Sequence, residues 1–143
     1  MTSRKKHQLP PDEVTRYLER RGVSDAVVRL GLAGMIDAWT RIAMSAERYD
    51  LTLDDWINDL DMRDIIAGAL AAAPTSQRDD LTRSLAHADD LFRAATLEAA
   101  EPLSTSLDPD ADEANSERRW WYRRYPSTAG ETLRSDLTSE GLL

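Results

Sequence analysis

From Val28 to Tyr49 the apolar residues Val28, Leu32, Met35, Trp39, Ile42, Ala46 and Tyr49 fall alternately four and three positions apart. A strand turns its side chains over at every second residue, whereas a helix returns to one face every three or four. The spacing therefore dictates a long helix packed along another. It is expected over residues 24–48, with Ser24 and Asp25 as capping residues. A second face carries Val27, Gly31, Gly34 and Ala38. An interior glycine costs about 1 kcal/mol relative to alanine, so two within a turn predict close approach of a neighbouring helix, with a local break as the alternative.

Helical punctuation continues on both sides. Leu9, Pro10, Pro11, Asp12 and Glu13 form a helix start with proline in the first turn and acids facing the positive end of the dipole; Val14, Tyr17 and Leu18 give the apolar side, and Gly22 the stop. Thr52 and Asp55 make a capping pair for a third helix bearing Leu53, Trp56, Ile57 and Leu60. Its register then shifts to Met62, Ile65, Ile66 and Ala69, with Asp61 and Asp64 where a new cap would stand. A kink is expected near Asp59 to Asp61, and an end at Ala71 to Ala73 before Pro74. A fourth helix from Thr75 or Ser76 has Leu81, Leu85, Ala88, Phe92 and Ala95 as its inner stripe and fades near Glu101 and Pro102. A short helix over Glu131 to Leu137 closes the series, marginal on its own. Val and Ile number only nine, and no segment alternates apolar and polar residues.

The expected fold is all-α: a bundle of about four helices over residues 1–101, an acidic linker over 102–117 rich in Ser, Thr, Pro, Asp and Glu, and a C-terminal arm over 118–143 packed back on the bundle. Residues 1–100 hold 22 of the 28 Leu, Ile, Val and Phe residues, which places the core there and leaves the arm to its aromatics. Without cysteine, disulfide frameworks, thiol nucleophiles and thiolate metal sites are excluded. No apolar run approaches a membrane span, and MTSRKKHQLPP lacks the apolar segment of a signal peptide, so no membrane association and a cytoplasmic setting are expected.

Candidate chemistry is sparse. Asp108, Asp110 and Asp112 have the spacing that opens a calcium loop, but Glu113 stands where the glycine belongs and Arg119 where the bidentate glutamate belongs. Asp50, Asp54, Asp55, Asp59, Asp61 and Asp64 invite a metal or an acid–base pair; no histidine lies near, and caps with a solvated face explain them more simply. His87 and His7 lack convergent partners and are read as surface residues. A helix-turn-helix around Gly22 would begin its reading helix SDAVVRLGLAG, with one arginine and no amide side chain for base edges. Gly-rich phosphate loops, G-x-S-x-G and H-E-x-x-H are absent. Nothing indicates a cofactor, a metal or a small-molecule ligand, and an enzyme is disfavoured.

The exception is RRWWYRRY: Arg118, Arg119, Trp120, Trp121, Tyr122, Arg123, Arg124 and Tyr125 hold half of the tryptophan and half of the tyrosine. Guanidinium groups stack on aromatic faces and fork onto carboxylates, so the stretch is an adhesive surface. It carries +4 on a chain of net charge −8, between a bundle at −7 and its own linker at −6. The nearest complement is the protein itself, and a clasp that docks rings and arginines on the bundle is the first expectation. A protein partner or a second copy comes next, since Trp, Tyr and Arg dominate binding hot spots. Single-stranded nucleic acid is a third reading, disfavoured by the acidic flank, and a metal-dependent enzyme using the aspartates a fourth. A non-enzymatic protein-interaction role is the expectation that remains.

Overall fold

The computed structural model describes residues 12–106 and 118–143. The helix start at Leu9 to Pro11, His7 and the aspartates Asp108, Asp110 and Asp112 lie outside the described residues. Among the described residues the chain is predominantly all-α, as expected, with a small two-stranded sheet that was not.

Helix α1 spans Glu13–Arg21, capped by Asp12, whose side chain accepts from the Thr15 amide at 2.7 Å, and stopped by Gly22 in the left-handed region. Helix α2, Asp25–Ser45, is capped by Ser24 and breaks at Gly31, where φ 68° and ψ 176° describe a backbone that only glycine adopts readily. Of the two readings of the glycines, the break holds and close helix packing does not. Nothing lies within 4 Å of where a Cβ on Gly31 would stand, and the nearest side chain to Gly34 is Leu30 of the same helix. Beyond the break Leu32, Met35, Ile36, Trp39 and Ala43 are buried, while Ile42, and Val28 before the break, are only partly covered. The helix stops at Ser45, and a 3-10 turn, Ala46–Arg48, leads to buried Tyr49.

Helix α3, Leu53–Ala72, opens with the anticipated Thr52–Asp55 capping box, but it runs unbroken through residues 59–61. The expected kink is absent because α3 is the central helix. With α1, α2, α4, α5 and the aromatic stretch of the arm packed around it, both apolar registers find cover: Leu53, Trp56, Leu60, Ile66 and Ala69 are buried, and Ile57, Met62 and Ile65 are partly so. The close approach the sequence suggested for α2 occurs here instead: a Cβ on Gly68 would stand 1.8 Å from the Tyr17 hydroxyl of α1.

Helix α4, Thr75–Ala94, buries Leu85, Ala88 and Phe92 as expected but ends short of Glu101. The chain turns instead into strand β1, Thr96–Glu98, antiparallel to β2, Arg124–Pro126, with Leu97 opposite Tyr125. Three residues per strand are too few for alternation to show in a sequence. Helix α5, Glu131–Ser139, follows.

One aromatic from each of three helices meets at the centre. Trp39 of α2 lies 4.5 Å from Phe92 of α4 between ring centroids, and Trp56 of α3 stacks on the same ring at 5.6 Å and 10°. Beside them the Arg63 guanidinium forks onto Asp89, Nε to Oδ1 at 2.9 Å and Nη2 to Oδ2 at 3.0 Å, while the Trp39 indole donates to Asp89 Oδ1 at 2.9 Å. A buried ion pair persists only when its hydrogen bonds repay the lost hydration, and this fork with an indole ties α2, α3 and α4. The core is not confined to the first hundred residues. Leu133 and Leu137, one turn apart on α5, are fully buried, and Trp121 and Tyr122 belong to the same cluster. Few apolar residues suffice in α5 because both of its leucines point inward. Among the described residues no helix is long and apolar enough to cross a membrane.

Candidate functional site

The stretch Arg118 to Tyr125 does not form an α-helix. It makes a 3-10 turn, Trp120–Arg123, and passes into β2, so its aromatic rings are sorted by position. Trp121 and Tyr122 are buried, Tyr125 and Trp120 are partly exposed, and Arg118 is exposed.

The arm docks as the charge pattern suggests, though mostly by other means than arginine–aspartate pairs. Arg119 Nε donates to Asp64 Oδ1 at 2.7 Å, and Arg21 of α1 reaches Asp64 Oδ2 at 2.7 Å. Asp64 is fully buried, and Ser106 also donates to it. The Tyr122 hydroxyl donates to Asp61 Oδ1 at 2.5 Å. Burial raises the Tyr122 hydroxyl well above its ordinary value, and the bond to Asp61 adds to that rise. Burial likewise raises Asp61 above the usual carboxylate range, against the lowering effect of the same hydrogen bond.

Arg124 and Arg123 bind mainly backbone. Arg124 donates from Nε to Thr96 Oγ1 at 2.7 Å and from Nη2 to the Thr96 and Arg93 carbonyls at 2.9 and 3.2 Å, and burial lowers its pKa. Arg123 Nη1 reaches the Ala100 carbonyl at 3.3 Å. Main-chain bonds complete the seam: Trp56 Nε1 to the Arg124 carbonyl at 2.9 Å, the Ala99 amide to Arg123 at 2.6 Å and the Leu103 amide to Tyr122 at 2.7 Å. Farther along, Asp136 of α5 accepts from the Leu53 amide at 3.0 Å, satisfying an otherwise orphan donor at the start of α3.

The aspartate cluster is therefore less solvated than expected. Asp64 and Asp61 hold the arm, Asp59 accepts from the Tyr49 hydroxyl at 2.8 Å and is raised chiefly by burial, and Asp55 closes the capping box. Asp50 and Asp54 are exposed. No three of the described His, Asp or Glu residues come together as a metal-ligand group. His87 lies exposed on α4.

What the arm leaves at the surface is a hollow lined by Trp120, Arg123 and Arg124 together with Arg93 and Glu98. The Arg93 guanidinium lies 3.8 Å from the Trp120 ring centroid, a cation–π contact, and Trp120 rests edge-on against Trp121 at 5.8 Å. Sequence reasoning missed Arg93. Its only signal is its place next to Phe92 on the inner stripe of α4, which brings it to the edge of the core where the arm lands. No protein-family model, curated protein or solved structure matches this chain.

Proposed function

We propose that this chain is a non-enzymatic protein-binding module whose recognition surface is the Arg93–Trp120–Arg123–Arg124 hollow and whose partner presents an acidic segment. The carrying observation is the partition of the arm: Trp121 and Tyr122 are spent on docking, while Trp120 stays partly open beneath the Arg93 guanidinium with two more arginines at its rim. A planar ring packed against the Arg93 guanidinium, Phe92 and Trp121 offers contact area at little entropic cost, which is how Trp and Arg come to dominate hot spots. On a chain of net charge −8 this hollow is a local basic patch, three arginines against the one acid Glu98, and complementarity to it favours an acidic segment. The cytoplasmic setting belongs to the same reading, and fractionation of the native host checks it.

The test is peptide-display selection against the full chain. Acidic peptides should be enriched, their binding lost in a Trp120→Ala, Arg123→Glu double variant and kept in Trp121→Phe. Peptides held equally by the double variant sink the reading, and salt-sensitive oligonucleotide binding through the same residues replaces it with the nucleic-acid one. If the partner is a second copy, self-association in sedimentation disappears in the same double variant.

A further inference from the structure

Acidic residues outnumber basic ones in this chain by 26 to 18, yet Arg93, Arg123 and Arg124 stand together at the Trp120 hollow with little acid to cancel them. Around the neighbouring Trp121 the cations are matched: Arg119 is turned to Asp64, and Arg63, forked onto Asp89, lies 4.3 Å from the Trp121 ring centroid. At the hollow the arginines are held by neutral groups instead. Arg124 gives Nε to the Thr96 hydroxyl and Nη2 to two carbonyls, Arg123 gives Nη1 to the Ala100 carbonyl, and Arg93 lies on the Trp120 ring. Such contacts fix a guanidinium without removing its charge. Among the described residues the one ion pair of the three is Arg93 with Asp90 at 3.8 Å, on an exposed side of α4 where a pair contributes little.

Burial lowers the pKa of Arg124, Glu98 raises it and Arg93 lowers it further, so the two arginines stand close enough to repel each other. Their spare donors are within reach of a ligand. Arg124 Nη1, and Nε and Nη2 of Arg123, have no partner among the described residues, and none of these nitrogens is closed off from solvent. Charge then decides the kind of ligand. Three arginines against Glu98 leave a surplus of two positive charges, of which the carbonyl end of α4 offsets about half a charge. A carboxylate, with its single charge, leaves part of that surplus standing. A phosphate monoester carries about −1.5 to −2 at neutral pH, and its acceptor oxygens fork onto guanidinium groups as a carboxylate does.

We infer that the acidic segment bound at this hollow carries a phosphorylated serine or threonine, its phosphate oxygens accepting from Arg93, Arg123 and Arg124 while the Trp120 ring packs against the stem. The inference rests on the acidic-peptide reading and adds the modification that the partner bears, so that phosphorylation of the partner switches binding on. The guanidinium groups are already fixed by the ring and the carbonyls, and the phosphate finds them in place without ordering them at its own cost.

The Trp120 indole resonance of the full-length labelled chain reads occupancy. The probes are alanine–aspartate peptides that differ only at a central position, which holds phosphoserine, glutamate, phosphotyrosine, or a phosphoserine methylated to a singly charged diester. The phosphoserine peptide should bind roughly tenfold more tightly than the glutamate peptide, the gain of one further charge-assisted contact, and the diester should fall back to the glutamate level. Arg123→Gln should bring the phosphoserine and glutamate peptides to equal affinity while the other tryptophan indole signals stay in place. Arg93→Gln, at an exposed side chain, should do the same and serves if the first variant disturbs the arm. Arg118→Gln, an exposed arm arginine outside the hollow, should keep the preference. Equal binding of the phosphoserine and glutamate peptides by the wild type overturns the phosphate assignment and leaves the acidic-peptide reading standing, whereas no shift with any peptide overturns both. A diester held as tightly as the monoester, binding confined to phosphotyrosine, or an equal loss of preference in Arg118→Gln also overturns the assignment.

Discussion

The arm holds to the bundle in two ways that differ in kind. Around Arg119 to Tyr122 the attachment is polar and buried: Arg119 and Arg21 share Asp64, and Tyr122 donates to Asp61. From Arg124 to Leu137 it is made of backbone pairing with β1, the bond from Trp56 to the Arg124 carbonyl, and two fully buried leucines. The first depends on charges staying matched inside the protein, so removing one partner strands another. The second depends on area and main-chain bonds, so a deletion loses little beyond what it contributed.

The largest effect should come from Asp64→Ala. It takes from two arginines the fully buried carboxylate they share. Breaking a buried pair from one side costs about 3–5 kcal/mol, and denaturant unfolding should show a loss of that order. Amide exchange tells whether the two attachments are separate: Tyr122, whose amide bonds to the Arg119 carbonyl, should lose protection while α5 keeps its own. Equal loss at both would make the arm one cooperative unit and remove the distinction.

Leu133→Ala probes the other attachment. A fully buried leucine truncated to alanine loses about 2–5 kcal/mol, the spread reflecting how far the site collapses. Protection in α5 should fall first, with Tyr122 following only at higher denaturant. The reverse order would mean that the polar region, not the leucines, carries the arm.

How much of this was legible follows from the range of each interaction. Caps at Ser24, Thr52 and Gly22 and the stripes of α1 and α4 depend on residues within a turn or two, and the sequence shows them. The unbroken α3 was not legible, because a shift of apolar register looks the same whether a helix bends or is surrounded on both sides. Neither was the role of Gly68, since the ring it accommodates comes from α1. In the arm, the docking of RRWWYRRY was readable as charge matching, but Arg93 and Arg63 enter through elements distant in the chain. The segment's own periodicity also misleads there, since a 3-10 turn running into a strand sorts the rings differently from an α-helix.

The smallest effect separates the attachments by pH alone. Asp61 has its pKa raised in the folded protein above its ordinary 3.8, chiefly by burial. The native state therefore binds the proton more readily than the unfolded chain, and between 3.8 and the higher folded value stability falls as pH rises. Turned round, wild type gains stability from this group as pH drops through its folded value and has gained all of it once below 3.8. Asp61→Asn keeps an oxygen for the Tyr122 hydroxyl and has nothing to titrate. Asp59, raised in the same direction, and Asp12, lowered by its capping bonds to Thr15, are present in both proteins and cancel in the difference. Urea denaturation at a series of pH values should thus show wild type gaining on Asp61→Asn as the solution is acidified. The corresponding series with Leu133→Ala should show no such trend, because α5 is held there by apolar contact. A wild type that loses ground to Asp61→Asn on acidification would mean that the Tyr122 bond, rather than burial, governs this carboxylate, and the polar attachment would then be strongest at neutral pH.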